Sequence, residues 1–348
     1  MKLFKPSTID INSLIKKIIP QLTSDKLKGE NGTVAVIGGS LEYTGAPYYT
    51  AITSLKAGND LSHVFCHTEA AIPIKCYSPE LIVHPAFNQP DNTDLINKTL
   101  RWFKSMHSIA MGPGLGRDDT IESIFTTFTS HVNKVNTSLP IPTVFDADAL
   151  WFLGKTYNKT FTPFDKGNLI ITPNNSEFNR LIGLLLIKEN YDQITPQNQF
   201  KNIDGIDNKS ISILKYNANE IPVEFKNEVD LCNAIHNNII VKKGVNDVIT
   251  NGKELYIVKN EGSLKRCGGI GDVLTGLINC YCGMIYKNAL INNKTYCQSD
   301  LMECCVLGCF VCREASRLAF NEKGYSLTAP DIIDKLCEVT NKLYNNKI

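Results

Sequence analysis

The sequence predicts an α/β fold, a three-layer sandwich whose mostly parallel central sheet carries helices on both faces. Three observations lead there. Short continuous apolar runs such as Val34-Ala35-Val36-Ile37 recur along the chain, as expected of strands covered on both sides. Most of these runs end in a glycine- or carboxylate-bearing loop that opens into a segment of helical periodicity. The 348 residues are 43% hydrophobic and 20% charged, enough to bury a large core. We expect one domain over residues 1–348, with a polar insertion around 187–238.

In chain order, apolar residues at Ile9, Ile11, Leu14, Ile15, Ile18 and Ile19 predict an amphipathic helix over Ser7 to Leu22, stopped by Pro20. Gly32 to Ser40 is a buried strand running into a glycine turn, and Tyr48 to Ala57 is a helix. Leu61 to Cys66 and Leu81 to Val83 are strands flanking a helix that begins at Thr68. A helix over Asp94 to Phe103 precedes the strand Ser108 to Met111, which feeds Gly112-Pro113-Gly114-Leu115-Gly116. Pro142 to Leu150 is a strand ending in Asp146 and Asp148, and Leu169 to Asn174 is a strand followed by a helix start at Ser176. Ile187 to Asn238, rich in Asn, Lys, Asp and Gln, predicts an expanded helical region with a mobile polar insertion. Ile239 to Gly244 is a strand, and Val248 to Val258 a hairpin around Asn251-Gly252. Helices from Leu277 onward close the chain.

A net charge of +1 provides no global field for nucleic acid or an acidic membrane, so any anion site is local. No apolar run is long enough to span a bilayer, and Met1 to Pro6 lacks the apolar core of a signal peptide. The 12 cysteines fit a reducing cytoplasm better than a disulfide framework. Cys304, Cys305, Cys309 and Cys312 lie in an apolar helical pattern, where cysteine packs as a small core residue; zinc spacing is missing.

The chemistry centres on Lys265-Arg266-Cys267-Gly268-Gly269-Ile270-Gly271-Asp272. A glycine loop opening into a helix brings backbone N–H groups to a bound anion, and the helix terminus adds partial positive charge. A carboxylate at that place has a proton to take or a metal to hold; otherwise Asp272 caps the helix. Lys243 and Gly244, with Asn246 and Asp247, lie at a strand end and fit a nucleotide phosphate, or a plain turn. Gly112 to Gly116 is a backbone cradle or a rigid turn. Asp146 and Asp148 alternate, so only one points into the crevice; either holds Mg²⁺ through water or caps a helix.

Taken in order, these segments resemble the ATP-dependent (S)-NAD(P)H-hydrate dehydratases, which have a ribokinase-like fold. The matching stretches are Val36 to Ser40 with Tyr43 to Pro47; Gly112 to Arg117; Asp146 to Leu150; Thr172-Pro173-Asn174 with Glu177-Phe178 and Arg180-Leu181; Lys243-Gly244 with Asp247; and Arg266 to Asp272. The resemblance implies ATP as co-substrate with Mg²⁺, bound by Lys243, Gly244, Val245, Asn246 and Asp247 and by Gly262, Ser263, Leu264, Lys265, Arg266, Cys267, Gly268, Gly269, Ile270 and Gly271. It implies that Gly114, Asn174, Asn175, Ser176, Glu177, Phe178, Asn179, Arg180 and Asp272 contact the hydrated NADH or NADPH. Asp272 would be the catalytic base; no metal ligand is assigned. A functional link to an NAD(P)H-hydrate epimerase and a homo-oligomer are further expectations. The chain departs from the family at Ala149, where glycine is usual, and at Asn175, where relatives often carry histidine. A sugar or vitamin kinase of the same fold is the alternative, and a non-catalytic nucleotide sensor a third reading.

Overall fold

The structure, a computed structural model, describes residues 6–87, 99–135, 139–157, 161, 164, 167–186 and 213–344. Its strands are β1 (Ser7–Thr8), β2 (Thr33–Ile37), β3 (Leu61–His67), β4 (Ile82–Phe87), β5 (Ser108–Met111), β6 (Thr143–Phe145), β7 (Leu169–Ile171), β8 (Ile213–Asn217), β9 (Ile239–Lys242), β10 (Asp247–Thr250) and β11 (Glu254–Val258). The helices are α1 (Ile11–Ile18), α2 (Gly45–Lys56), α3 (Thr68–Tyr77), α4 (Asp119–Val135), α5 (Asp148–Thr156), α6 (Asn175–Leu185), α7 (Lys226–Ala234), α8 (Ile270–Ile291), α9 (Gln298–Lys323) and α10 (Ala329–Tyr344).

The strands form one 11-stranded sheet in the order β1-β8-β11-β10-β9-β7-β6-β5-β2-β3-β4. From β4 across to β9 every pairing is parallel; from β9 to β1 every pairing is antiparallel. Successive residues of the parallel strands face opposite cores. Val36, Ile170 and Ile239 pack with α1, α2, α3, α8, α9 and α10, while Ile37, Ile171 and Ile240 pack with α4, α5, α6 and α7. This two-sided burial is why the strands read as unbroken apolar runs. Cys304, Cys305, Cys309 and Cys312 are buried in α9, within the first of these cores.

Some expected elements differ. Asp10 accepts the N–H of Asn12 and starts α1 at Ile11, leaving Ser7–Thr8 extended and paired with β8. The strand expected over Pro142 to Leu150 stops at Phe145, because Ala147 adopts φ 48° and α5 begins at Asp148. Of the polar stretch expected to be helical, 187–212 lie outside the described residues. Ile213–Asn217 is instead a strand, drawn into the sheet by β11, with only α7 and short turns following. Residues 94–98 of the helix expected over Asp94 to Phe103 also lie outside the described residues.

Candidate active site

Parallel strands place their carboxyl ends on one edge, and the loops leaving them meet there. The ladder continues beyond the strands: Gly112 N–H donates to Ile37 O, Asp146 N–H to Met111 O, Thr172 N–H to Phe145 O and Lys243 N–H to Pro173 O. These backbone bonds set Asp146, Thr172 and Lys243 side by side. β11 runs parallel to β9, since both pair antiparallel with β10, so the loop after β11 returns to the same edge and enters α8.

Asp146 is the hub. Its Oδ1 accepts from Lys243 Nζ at 2.8 Å and Thr172 Oγ1 at 2.9 Å, and its Oδ2 accepts from Thr275 Oγ1 at 2.8 Å. Its side chain is 4% exposed. Burial works against the Lys243 ammonium, but Asp146, Glu177 and Asp272 together hold its pKa above the ordinary lysine value. Burial, and next the charge of Asp146, push the Asp272 carboxyl up to about 8 against the pull of Lys243. Burial also pushes Glu177 up, with Lys243 opposing. One ammonium thus serves a group of carboxylates that cannot all be ionised cheaply.

Asp272 lies in the first turn of α8, whose N-cap, Gly269, is left-handed at φ 91°. A Cβ on Gly269 would come within 2.6 Å of Ala329 Cβ, so the loop must be bare there. A Cβ on Gly268 would meet nothing within 4 Å, so the backbone faces open space on that side. Gly271 lies against the Lys243 ammonium, 3.4 Å from where its Cβ would be. A basic group, helix-terminal N–H groups and a high-pKa carboxyl are thus gathered at the start of α8.

The other expected site residues fall in distinct places. Gly114 is held in the turn after β5, where its carbonyl accepts the N–H of Gly39 at 3.1 Å. Asn174 caps α6 through the N–H of Glu177, whose carboxylate returns a bond to the Asn174 N–H. Asn175, Ser176 and Asn179 are exposed, whereas the Phe178 side chain is buried beneath Lys242 and points into the core. Arg180 lies over Trp151, 5.0 Å from the ring centroid, and Arg117 over the same indole at 4.8 Å. Arg117 pairs with Asp148 at 2.6 Å, so Asp146 alone of the two aspartates joins the hub. Arg180 makes no salt bridge among the described residues, and its Nε and Nη2 are buried without a hydrogen-bond partner.

In the loop Lys243 to Asp247, Val245 is 68% exposed; Leu264, in the loop after β11, is 85% exposed. Asn246 is half-buried, and Gly244 donates its N–H to Asp247. Gly262 packs on Arg313, and Ser263 bonds the carbonyl of Lys265. Lys265 turns away, its ammonium held by the carbonyls of Tyr325 and Leu327. Arg266 is exposed and its charge is felt at Asp247; Cys267 and Ile270 pack against the core. Sequence reasoning missed Thr275, Trp151 and Arg313. Only Thr275 left a trace, three residues beyond Asp272 on the same helical face.

The profile of the NAD(P)H-hydrate dehydratase family matches residues 34–207 and 212–338. An ATP-dependent (S)-NAD(P)H-hydrate dehydratase of Entamoeba histolytica is 36% identical over 341 residues, 98% of this chain and 97% of that protein. A ribokinase-like superfamily protein of Enterococcus faecalis superposes with a TM-score of 0.66 at 19% identity, covering 95% of this chain and 94% of its own. The Bacillus subtilis ADP/ATP-dependent NAD(P)H-hydrate dehydratase co-crystallised with ATP/Mg²⁺ superposes with a TM-score of 0.62 at 19% identity, covering 96% of each chain. The fold is ribokinase-like, and with the profile and the relative spanning almost its whole length, the chain belongs to the NAD(P)H-hydrate dehydratase family.

Proposed function

We propose that this protein uses ATP to dehydrate the S epimer of NADH or NADPH carrying water at C6 of the nicotinamide ring, yielding NADH or NADPH, ADP and phosphate. The observation that carries the reading is Asp272: a carboxyl with a raised pKa, beside a lysine, at the mouth of a glycine-lined helix terminus.

Hydroxide is a poor leaving group. The C6 oxygen first attacks the γ-phosphorus of ATP, ADP departs, and Asp272 takes the hydroxyl proton. The ring-nitrogen lone pair then expels phosphate by breaking the C6–O bond, and loss of a ring proton restores the dihydronicotinamide. Backbone N–H groups of Gly268, Gly269 and Gly271 receive the charge that builds on the transferred phosphoryl group. Lys243, which also pairs with Asp146, would add positive charge there, and Arg180, with no carboxylate bound to it among the described residues, would be available to an anionic part of the substrate. Val245 and Leu264, exposed on the two nucleotide loops, suit the flat base of ATP.

Among the described residues no three His, Cys, Asp or Glu side chains converge as a metal cage. That donor set fits a Mg²⁺ ion held chiefly by ATP phosphates and water, with Asp146 and Glu177 as the nearby carboxylates. Bound there, magnesium would neutralise phosphate charge. No described helix is long and apolar enough to cross a membrane, and the free cysteines suit a reducing cytoplasm. Consumption of one epimer implies an epimerase acting upstream.

The test is to incubate the purified chain with ATP, Mg²⁺ and hydrated NADH. Recovery of reduced-nicotinamide absorbance with stoichiometric ADP supports the reading. A stable phosphorylated product in place of NADH supports a kinase and overturns it.

A further inference from the structure

Arg313, on α9, lies outside every segment that carries the family resemblance, yet it ties together both loops read as nucleotide-binding. Its Nε donates to the carbonyl of Asn260 at 2.8 Å, in the segment leaving β11. Its Nη1 donates to Asp247 Oδ2 at 3.2 Å, at the start of β10, and its Nη2 to the carbonyl of Val245, in the loop between β9 and β10. The other oxygen of Asp247 accepts the N–H of Gly244 at 3.1 Å, so the guanidinium braces that turn through the carboxylate as well. Gly262 lies on the Arg313 stem, its Cβ position 3.8 Å from Arg313 Cα, Cβ and Cγ. Asn260 in turn donates its side-chain amide to the carbonyl of Phe310, one turn earlier on α9.

The consequence is mechanical. The Val245 carbonyl is pinned while its side chain stays exposed, and the segment carrying Leu264 leaves the sheet from a point held by the same guanidinium. The side chain of Arg313 is only 12% exposed, and its planar fork meets acceptors from two loops that no lysine ammonium reaches together.

We infer that Arg313 is a positioning residue for ATP: it sets the spacing of the two nucleotide loops without touching the nucleotide. The inference rests on the ATP-site reading above, and direct binding separates the two. Calorimetry of ATP with the wild-type chain, without hydrated substrate, tests the site; the same titration of Arg313→Lys tests the brace. Lysine keeps a charge for Asp247 and so protects the fold, but cannot reproduce all three contacts. We expect its ATP Kd, and its KM for ATP, to rise about tenfold with the KM for hydrated NADH nearly unchanged, since loop placement governs one ligand only. Arg313→Met should weaken ATP further. A purely structural role would instead lower the active fraction and leave both KM values alone. If wild type binds ATP and Arg313→Lys binds it within twofold, the inference fails; if wild type does not bind ATP, the site reading itself fails.

Discussion

The ammonium of Lys243, at the end of β9, donates to Oδ1 of Asp146 at 2.8 Å, across the end of the intervening strand β7. The two residues are 97 positions apart, and the pair joins a residue of the proposed ATP loop to the carboxylate whose charge helps raise the pKa of Asp272. Lys243→Met removes the cation and leaves the buried Asp146 with only the hydroxyls of Thr172 and Thr275. We expect a loss of about 3–5 kcal/mol in denaturant unfolding at neutral pH. A loss below about 1 kcal/mol would show that the two threonine hydroxyls suffice to hold Asp146.

Asp272 contributes to stability with an unusual sign. Its folded pKa of about 8 lies above the ordinary 3.8, so the native state keeps a proton that the unfolded chain sheds. Its contribution to stability therefore declines as pH rises from about 4 towards 8 and is lowest above that. Asp272→Asn should gain melting temperature relative to wild type across that window while turnover falls about 10²-fold or more. Wild-type kcat/KM should rise with pH towards the same value, because the base acts ionised. Near wild-type turnover in the variant would remove Asp272 as the base.

Neighbouring glycines should separate fold from ligand. Gly269→Ala meets Ala329 and a left-handed backbone, so we expect a loss of more than about 1 kcal/mol in stability. Gly268→Ala meets nothing, so stability should stay within about 0.5 kcal/mol. The added methyl would stand where a phosphate approaches, and ATP KM should rise at least about fivefold, at a cost near 1 kcal/mol. Unchanged ATP KM in Gly268→Ala would mean that the anion lies elsewhere.

Trp151 should act through the arginines stacked on it. Trp151→Leu removes cation–π contacts worth about 1 kcal/mol to Arg180, or about fivefold in KM for the hydrated nucleotide. ATP KM should not follow. Equal shifts in both constants would point to a general loosening of α5 and α6 instead.

The parallel half of the sheet was legible because residues such as Val36 and Ile37 must both be apolar when each faces a core. The glycine loop before Asp272 was legible because three glycines within four residues mark a tight turn, and Gly269 is indeed left-handed and without room for a Cβ. β8 was not: its five residues lie beside a long polar stretch, and their strand character comes from pairing with β11. Asp148 was not separable from Asp146, because the turn at Ala147, not strand alternation, sends it to Arg117. Lys265 was expected among the residues that bind ATP; that its ammonium is held by the carbonyls of Tyr325 and Leu327 could not be read from the sequence.

By itself the sequence determined the layered α/β architecture, the strand-end loops and the family, because apolar periodicity and glycine placement are local properties written in consecutive residues. Tertiary structure alone decided which charges share an environment: Asp146 with Lys243, Thr172 and Thr275, Arg313 with Asp247, and Arg117 and Arg180 with Trp151. Coulomb and desolvation energies depend on distance and burial in space, and chain separation carries no information about either.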